Sequence, residues 1–157
     1  MNLHSQLERF RKEHDEILCF LKSWEAALDL LASEDEEARC EGLAELREME
    51  KKLAGLREHC QNEEQSVESP FQIYLDDRAL EQLRREHDVL EQLTEGYQAE
   101  LKCVTTIPPT TQLLGLGRRL LEQLRHHIAY EEGLLKQVED GNEAVEKLFL
   151  RYVQPAE

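Results

Sequence analysis

The sequence predicts an all-α protein, and both its composition and its periodicity point to that class. Leu and Glu, which favour helices, occur 27 times each, whereas Ile and Val, which favour strands, total only 10. Only 7 Gly and 4 Pro interrupt the 157 residues. Apolar residues recur at steps of three and four along four segments of about 25 residues, joined by short connections, which is typical of an up-down-up-down four-helix bundle.

The first two helices are predicted on either side of an acidic turn. The first apolar stripe runs from Leu3 to Leu31, and the second from Leu46 to Glu63. The segment between them contains Ser33 to Glu36, which is interpreted as a capping box that opens the second helix.

The third and fourth helices each follow a break. Leu80 to Leu101 follows the break at Ser66 to Pro70, and Leu113 to Val138 follows the proline-containing break at Thr105 to Thr111. Asp140 to Asn142 is expected to end the fourth helix, with a short C-terminal helix over about residues 143–152. The whole chain, 1–157, is expected to form one domain, with the bundle over about residues 3–140.

The charge of the chain excludes some classes of partner. A net charge of −15 argues against binding to nucleic acid and against docking on an anionic membrane. The longest apolar run, Ile17 to Leu21, is far too short to span a bilayer, and Met1 to Glu8 lack a signal-peptide core. The four cysteines form no Cys-x-x-Cys pair. We therefore expect a cytoplasmic protein with reduced cysteines.

Each of the four apolar stripes is interrupted by one histidine: His14, His59, His87 and His127. The last three have a glutamate four residues later, on the same helical face: Glu63, Glu91 and Glu131. In an antiparallel bundle, residues at one height lie symmetrically about the turn that joins their helices. The midpoints of successive histidine pairs are 36.5, 73 and 107, in or beside the three breaks. The four histidines should therefore meet in one layer of the core.

This layer predicts a metal site. A single histidine on an apolar face is usually a core residue with a hydrogen-bond partner. Four imidazoles and several carboxylates in one buried layer would be costly without a cation. Mixed imidazole and carboxylate ligands suit iron, manganese or zinc, and inward-facing His and Glu in a helical bundle are typical of dinuclear carboxylate centres. If Glu63 and Glu131 each bridge two metals with an oxo or hydroxo group, about one position per metal stays open for a small molecule.

Four motifs together resemble the hemerythrin-like, HHE cation-binding domain family. The segments from His59 to Glu64 and from His127 to Glu132 are similar to its paired His-x-x-x-Glu-Glu motifs. Lys12 to Asp15 and Arg85 to Asp88 resemble its first-helix and third-helix histidine motifs. The resemblance implies two oxo- or hydroxo-bridged Fe ions, with Zn or Mn as possible substitutes. The implied terminal ligands are His14, His59, His87 and His127, and the implied bridging carboxylates are Glu63 and Glu131.

The ligand pattern differs from that of oxygen-carrying hemerythrins. Those proteins have a second histidine on the third helix, where this chain has Glu91, and an Asp five residues after the fourth-helix histidine, where Glu131 comes after four. The pattern is more similar to that of di-iron proteins that repair iron–sulfur clusters. Glu91 is an additional ligand, a proton donor or a solvent-facing residue.

Three functions follow as hypotheses. The chain is expected to bind or react with a small diatomic ligand (O₂ or NO) or peroxide, in oxidative or nitrosative stress or in cluster repair. The alternatives are an iron or oxygen sensor whose metal controls a partner contact, and a metal-free helical interaction module.

Several residues around the histidine layer are also interpreted. Cys60 is expected to be a small buried residue near the metals, with a redox role as the alternative, and Glu86 is a candidate support for the site. His4, His126 and Tyr130 are expected outside the site. Leucines and an isoleucine are expected to form an apolar wall above it: Ile17, Leu21, Leu53, Leu56, Leu90, Leu120 and Leu124.

Overall fold

A computed structural model describes the backbone of residues 2–66, 69–104 and 111–153, and the side chains of these segments as far as residue 141. The described backbone is helical and contains no strand, which confirms the predicted all-α class. Four long helices and one short helix follow in chain order: α1 Leu3–Leu31, α2 Glu36–Gln65, α3 Pro70–Tyr74, α4 Asp77–Cys103 and α5 Thr111–Val153. No described helix is both long and apolar enough to cross a membrane.

The four long helices form a closed ring of neighbours. α1 packs against α2 and α5, and α4 packs against α5 and α2. Each helix buries the apolar stripe that its sequence contains, so the interior of the bundle is built mainly from leucine. The ring order α1, α2, α4, α5 is the arrangement expected for an up-down-up-down bundle.

The helix starts are capped by short polar side chains. Asn2, Asp35 and Asp76 each accept a hydrogen bond from the backbone N–H three residues later. The predicted capping box names the wrong residue, because the cap of α2 is Asp35. Ser33 lies in the turn that closes α1, where its N–H donates to the carbonyl of Leu30 and its hydroxyl accepts from the N–H of Asp35.

Two predictions about helix ends are wrong. Asp140 to Asn142 do not end the fourth helix, so the short C-terminal helix is the continuation of α5 to Val153. One glycine costs a helix only about 1 kcal/mol, and the next proline is Pro155, beyond the helix. The break near Pro70 contains a helix that was not predicted, α3, which starts with that proline at its first turn. The predicted break at 105–111 lies outside the described residues except for Thr111.

Two apolar clusters lie on opposite sides of the histidine layer. The upper cluster contains every residue of the predicted apolar wall, with Ile17 and Leu56 partly buried and the others buried. The lower cluster was not predicted as a unit, and it includes Phe10 and Phe71, whose rings meet edge to face at 5.8 Å. The polar layer between these clusters is thereby shielded from water.

Backbone packing between α1 and α2 depends on one glycine. A Cβ on Gly42 would lie 2.7 Å from the backbone N of Leu31 and 2.8 Å from the carbonyl O of Ala27. Gly117 on α5 likewise leaves room for Leu28, whose Cδ2 would lie 2.7 Å from an added Cβ.

In the upper cluster Trp24 donates its indole N–H to the hydroxyl of Tyr97 at 3.2 Å, so both buried polar atoms are satisfied.

Candidate metal centre

Six side chains from the four long helices converge between the two apolar clusters. They are nearly or completely inaccessible, and we call them the inner cluster: His14, His59, Glu63, His87, His127 and Glu131. They are the six residues that the sequence predicts as ligands. The seventh candidate, Glu91, is 53% exposed, with Oε1 3.8 Å from Arg57 Nη2. The structure therefore places Glu91 on the surface, outside the inner cluster.

The imidazoles form two pairs. The rings of His14 and His59, from α1 and α2, have centroids 5.1 Å apart, and those of His87 and His127, from α4 and α5, have centroids 4.7 Å apart. In each pair the rings meet edge to face, with the Nε2 atoms turned toward the centre of the bundle. We call these the α1/α2 pair and the α4/α5 pair.

Glu63 spans both histidine pairs. Its Oε1 lies 2.6 Å from His59 Nε2 and 3.5 Å from His14 Nε2, and its Oε2 lies 3.1 Å from His87 Nε2. Each oxygen of this carboxylate thus faces a different pair, as a bridging ligand does.

Glu131 spans the same two pairs from α5. Its Oε2 lies 3.0 Å from His14 Nε2, and its Oε1 lies 3.5 Å from His87 Nε2 and contacts His127 Nε2. The two buried carboxylates therefore link the two pairs in parallel.

Some buried atoms of the inner cluster have no hydrogen-bond partner. His59 Nε2 and Glu63 Oε2 are among the buried unpaired polar atoms, although each has an oppositely charged or polar atom close by. Buried polar atoms that converge without hydrogen bonding to one another are expected where they share a cation. The donor set of imidazole and carboxylate therefore fits a metal.

Four further glutamates hold the outer edges of the imidazoles. His59 Nδ1 donates to Glu13 at 2.7 Å, and His127 Nδ1 donates to Glu86 at 2.8 Å. The other two acceptors are Glu64 for His87, at 3.0 Å, and Glu132 for His14, at 2.6 Å. We call these four the outer carboxylates.

The outer carboxylates connect neighbouring helices around the whole bundle. The glutamate on α1 accepts from the histidine on α2, and the glutamate on α2 accepts from the histidine on α4. The glutamate on α4 accepts from the histidine on α5, and the glutamate on α5 accepts from the histidine on α1. Sequence reasoning considered only Glu86, and the structure assigns it to His127 rather than to the adjacent His87. The signal was present in the motifs, as the Glu directly before His14 and before His87 and as the second Glu of each His-x-x-x-Glu-Glu. Only the packing of the helices shows which histidine each one reaches.

This hydrogen-bond pattern fixes the tautomer of the four rings. Because each Nδ1 faces a carboxylate, it carries the proton, and a neutral ring then aims the lone pair of Nε2 inward. His87 Nε2 and His127 Nε2 lie only 3.0 Å apart. Two lone pairs at that distance repel each other, so a cation must lie between them, either a metal or an additional proton.

The pKa shifts of the metal-free cluster also indicate that the buried carboxylates stabilise positive charge there. Burial lowers the pKa of each imidazole, but hydrogen bonds to the surrounding glutamates outweigh it and raise the pKa to about 10 for His14 and His59. Interactions with the Cys60 thiol and with Glu131 raise the pKa of both His87 and His127. The pKa of His127 rises to about 11. Burial also raises the pKa of Glu131, yet its hydrogen-bonding neighbours hold it well below the usual range. The raised pKa values of the imidazoles favour bound protons in the cluster when no metal is present.

Cys60 adds a seventh donor that sequence reasoning did not assign to the metals. Its thiol interacts with His127 and His87, and these interactions lower its pKa against the opposing effect of burial. Two sets of donor atoms lie within 4.8 Å of one another: His14, His59, Glu63 and Glu131 in one, and Cys60, Glu63, His87 and His127 in the other. Each histidine pair thus has its own set, and Glu63 belongs to both.

Residues predicted to lie outside the site do so. His4 pairs with Glu8 on the surface, and His126 is exposed. Tyr130 packs partly buried against the lower apolar cluster.

Among the described residues, two openings lead from the surface to the inner cluster. A cleft of about 360 Å³ between α1 and α2 ends at His59, with Ile17, Phe20 and Leu56 among its lining residues. A smaller pocket of about 50 Å³ between α2 and α4 ends at Cys60 and His87. Leu56 lines both openings.

Comparison with known proteins yields one family. The family model of the hemerythrin HHE cation-binding domain matches residues 5–138, which include most of the four long helices and the whole inner cluster. The chain has no significant match among curated proteins or among solved structures.

Proposed function

Since the chain belongs to the hemerythrin HHE cation-binding domain family, we propose that it is a non-haem di-iron protein that reacts with a small molecule. The convergence of six buried donor side chains in two linked sets carries this proposal. His14 and His59 would hold one iron, and His87 and His127 the other. Glu63 and Glu131 would bridge them, because each presents one oxygen to each histidine pair.

When bound, the two irons supply redox change and open coordination positions for O₂, NO or peroxide. The protein supplies the surroundings. The outer carboxylates hold the Nδ1 protons and the ring orientations, which raises the basicity of the Nε2 atoms. The apolar clusters on both sides exclude bulk water, which strengthens the attraction between the buried carboxylates and a cation.

The size of the openings supports a small reactant. His14, Glu63 and Glu131 are completely inaccessible, so a reactant must pass between side chains. The pocket of about 50 Å³ that ends at Cys60 and His87 has room for a molecule of a few atoms. The cleft of about 360 Å³ is large enough for a metabolite, but it stops at His59 and its lining does not include the inaccessible His14, Glu63 and Glu131.

The surface position of Glu91 favours stress-related chemistry over reversible oxygen carriage. α4 offers only His87 to the inner cluster, whereas the sequence of an oxygen carrier would offer a second histidine one turn later. Glu91 instead is 53% exposed beside Arg57 and is among the residues that line the small pocket ending at Cys60 and His87. The resulting ligand set supports a role in oxidative or nitrosative stress, including repair of iron–sulfur clusters.

The test exposes iron-loaded, chemically reduced protein to O₂, NO and peroxide and follows the visible spectrum in a stopped-flow instrument. We expect a spectral change with at least one of the three. Leu56→Phe should slow the change and Leu56→Ala should accelerate it at unchanged iron content, because Leu56 lines both openings. Leu18→Phe on the exposed side of α1 is the matched control and should leave the rate unchanged. Iron-loaded protein that responds to none of the three reactants would refute the proposed reactivity.

A further inference from the structure

The two histidine pairs are not equivalent, because the motifs of α2 and α5 have different residues directly after the histidine. On α2 the residue after the histidine is Cys60, and on α5 it is Ile128, which is 3% exposed. Each of these residues lies three positions before the buried glutamate of its own helix. Positions i and i+3 share a helical face, so both side chains are directed toward the layer of the inner cluster.

Cys60 lies on the side of the α4/α5 pair. Its Sγ is within 4.8 Å of donor atoms of Glu63, His87 and His127. The set around the α1/α2 pair contains no sulfur. α2 therefore directs His59 to one pair, Cys60 to the other, and Glu63 to both.

A second observation indicates that the side chains around the α4/α5 pair bind a cation. Glu63 is completely inaccessible, and its Oε2, which faces the α4/α5 pair, has no hydrogen-bond partner. The other three cysteines of the chain, Cys19, Cys40 and Cys103, are exposed on the outside of the bundle. Only Cys60 lies among buried metal-ligating side chains.

We propose that the Cys60 thiolate is a ligand of the metal held by His87 and His127, which makes the dinuclear centre asymmetric. The inference rests on the proposed metal site and goes beyond it in assigning a sulfur donor to one metal only. On binding, the thiol loses its proton to solvent, and the S–H bond is replaced by a bond from sulfur to the metal. The metal at the α1/α2 pair keeps only nitrogen and oxygen donors.

The asymmetry has a consequence for where a small molecule binds. A thiolate fills one position of the metal at the α4/α5 pair and makes it the softer of the two sites. The metal at the α1/α2 pair has one protein donor fewer. The open position would therefore lie on the metal held by His14 and His59, and His59 lines the cleft between α1 and α2.

The test uses the full chain loaded with Co²⁺, which shows a strong near-ultraviolet sulfur-to-metal charge-transfer band only when a thiolate is bound. We expect two Co²⁺ per wild-type chain, with the band growing as the α4/α5 site fills. Cys60→Ser should abolish the band, and Cys60→Ala should weaken the binding of one Co²⁺ and spare the other. Cys40→Ser, at an exposed position of the same helix, should behave as wild type.

The outcomes separate the cysteine ligand from the metal site itself. Wild-type protein that binds two Co²⁺ without the band overturns the role of Cys60 and leaves the dinuclear site standing. Wild-type protein that binds no Co²⁺ and no iron overturns both. A band that persists in Cys60→Ser and disappears in Cys40→Ser would identify Cys40 as the sulfur donor. That result would also overturn the inference.

Discussion

Glu13 on α1 accepts a hydrogen bond from His59 Nδ1 on α2 at 2.7 Å, although its chain neighbour His14 belongs to the same inner cluster. The pairing thus crosses from one helix to the next. The same relationship recurs on the other three sides of the bundle, so each imidazole is oriented by a carboxylate from an adjacent helix. The geometry of the metal centre and the packing of the four helices therefore depend on each other.

The inner ligands should be distinguishable by how much metal their loss removes. We expect His59→Ala to retain at most one iron per chain, because it damages only the α1/α2 set. Glu131→Ala should weaken binding of both irons, since its carboxylate touches both pairs. His126→Ala, beside His127 but exposed, should keep two. The measurement is iron per chain after gel filtration, and equal iron in all three variants would contradict the ligand assignment.

The outer carboxylates should tune metal affinity without being ligands. Glu132→Gln keeps the size of the side chain but removes the charge that faces His14 Nδ1. We expect metal affinity to fall about 10- to 100-fold while two metals still bind at saturation. Glu122→Gln, at an exposed position of the same helix, is the control. A competition titration against a chelator measures both, and equal affinities would assign Glu132 a purely structural role.

The stability of the metal-free protein should decrease with rising pH. His14 and His59 have folded-state pKa values of about 10, above the value of 6.5 in the unfolded chain. The folded state therefore binds protons more tightly, and the resulting stabilisation is complete below about pH 6.5 and is lost as the pH rises toward 10. The lowered pKa of Glu131 acts at the acidic end, where its stabilisation is lost as the pH falls below about 4.5.

Thermal unfolding with and without a chelator checks this expectation. Between pH 7 and pH 9 the Tm of metal-free protein should fall, while that of metal-loaded protein should change less, because the metal replaces the protons. Acidification should also release the metal as protons compete for the imidazoles. A metal-free Tm that rises over this range would show that the cluster does not hold protons as described.

Two glycines of α2 should respond oppositely to substitution by alanine. The Cβ of Gly42→Ala would collide with the backbone of α1, and we expect a loss of about 1–3 kcal/mol in the free energy of unfolding. Gly55 has open space around its Cβ position, so Gly55→Ala should gain up to about 1 kcal/mol from helix propensity. Urea denaturation compares the two. Equal effects would mean that α1 and α2 do not approach closely at Gly42.

Much of the fold could be predicted because local signals and packing agree along this sequence. The stripes identified four helices, and the midpoints of the histidine pairs placed His14, His59, His87 and His127 at one height. These predictions rest on the spacing of residues along each helix, which determines the side chains that share a helical face. The end of α5 could not be predicted, because a single Gly141 is a weak helix breaker that tertiary context overrides.

The outer part of the site depends on contacts between helices, which a single sequence does not contain. The sequence indicates Glu86 as a candidate support for the site, but only the rotation of α4 in the bundle shows that its carboxylate reaches His127 on α5. Cys60 was interpreted as a small buried residue, and only the position of α2 against α4 brings its sulfur to His87. Glu91 matches the i+4 spacing of the true inner carboxylates but lies on the solvent side of α4.

The central claim is that two metals lie side by side, each between one histidine pair and the two buried glutamates. The most direct measurement is a crystal structure of the iron-loaded protein with an anomalous difference map collected at the iron absorption edge. We predict two peaks within about 4 Å of each other, one beside His14 and His59 and one beside His87 and His127. A single peak, or peaks only at surface carboxylates, would contradict the dinuclear centre.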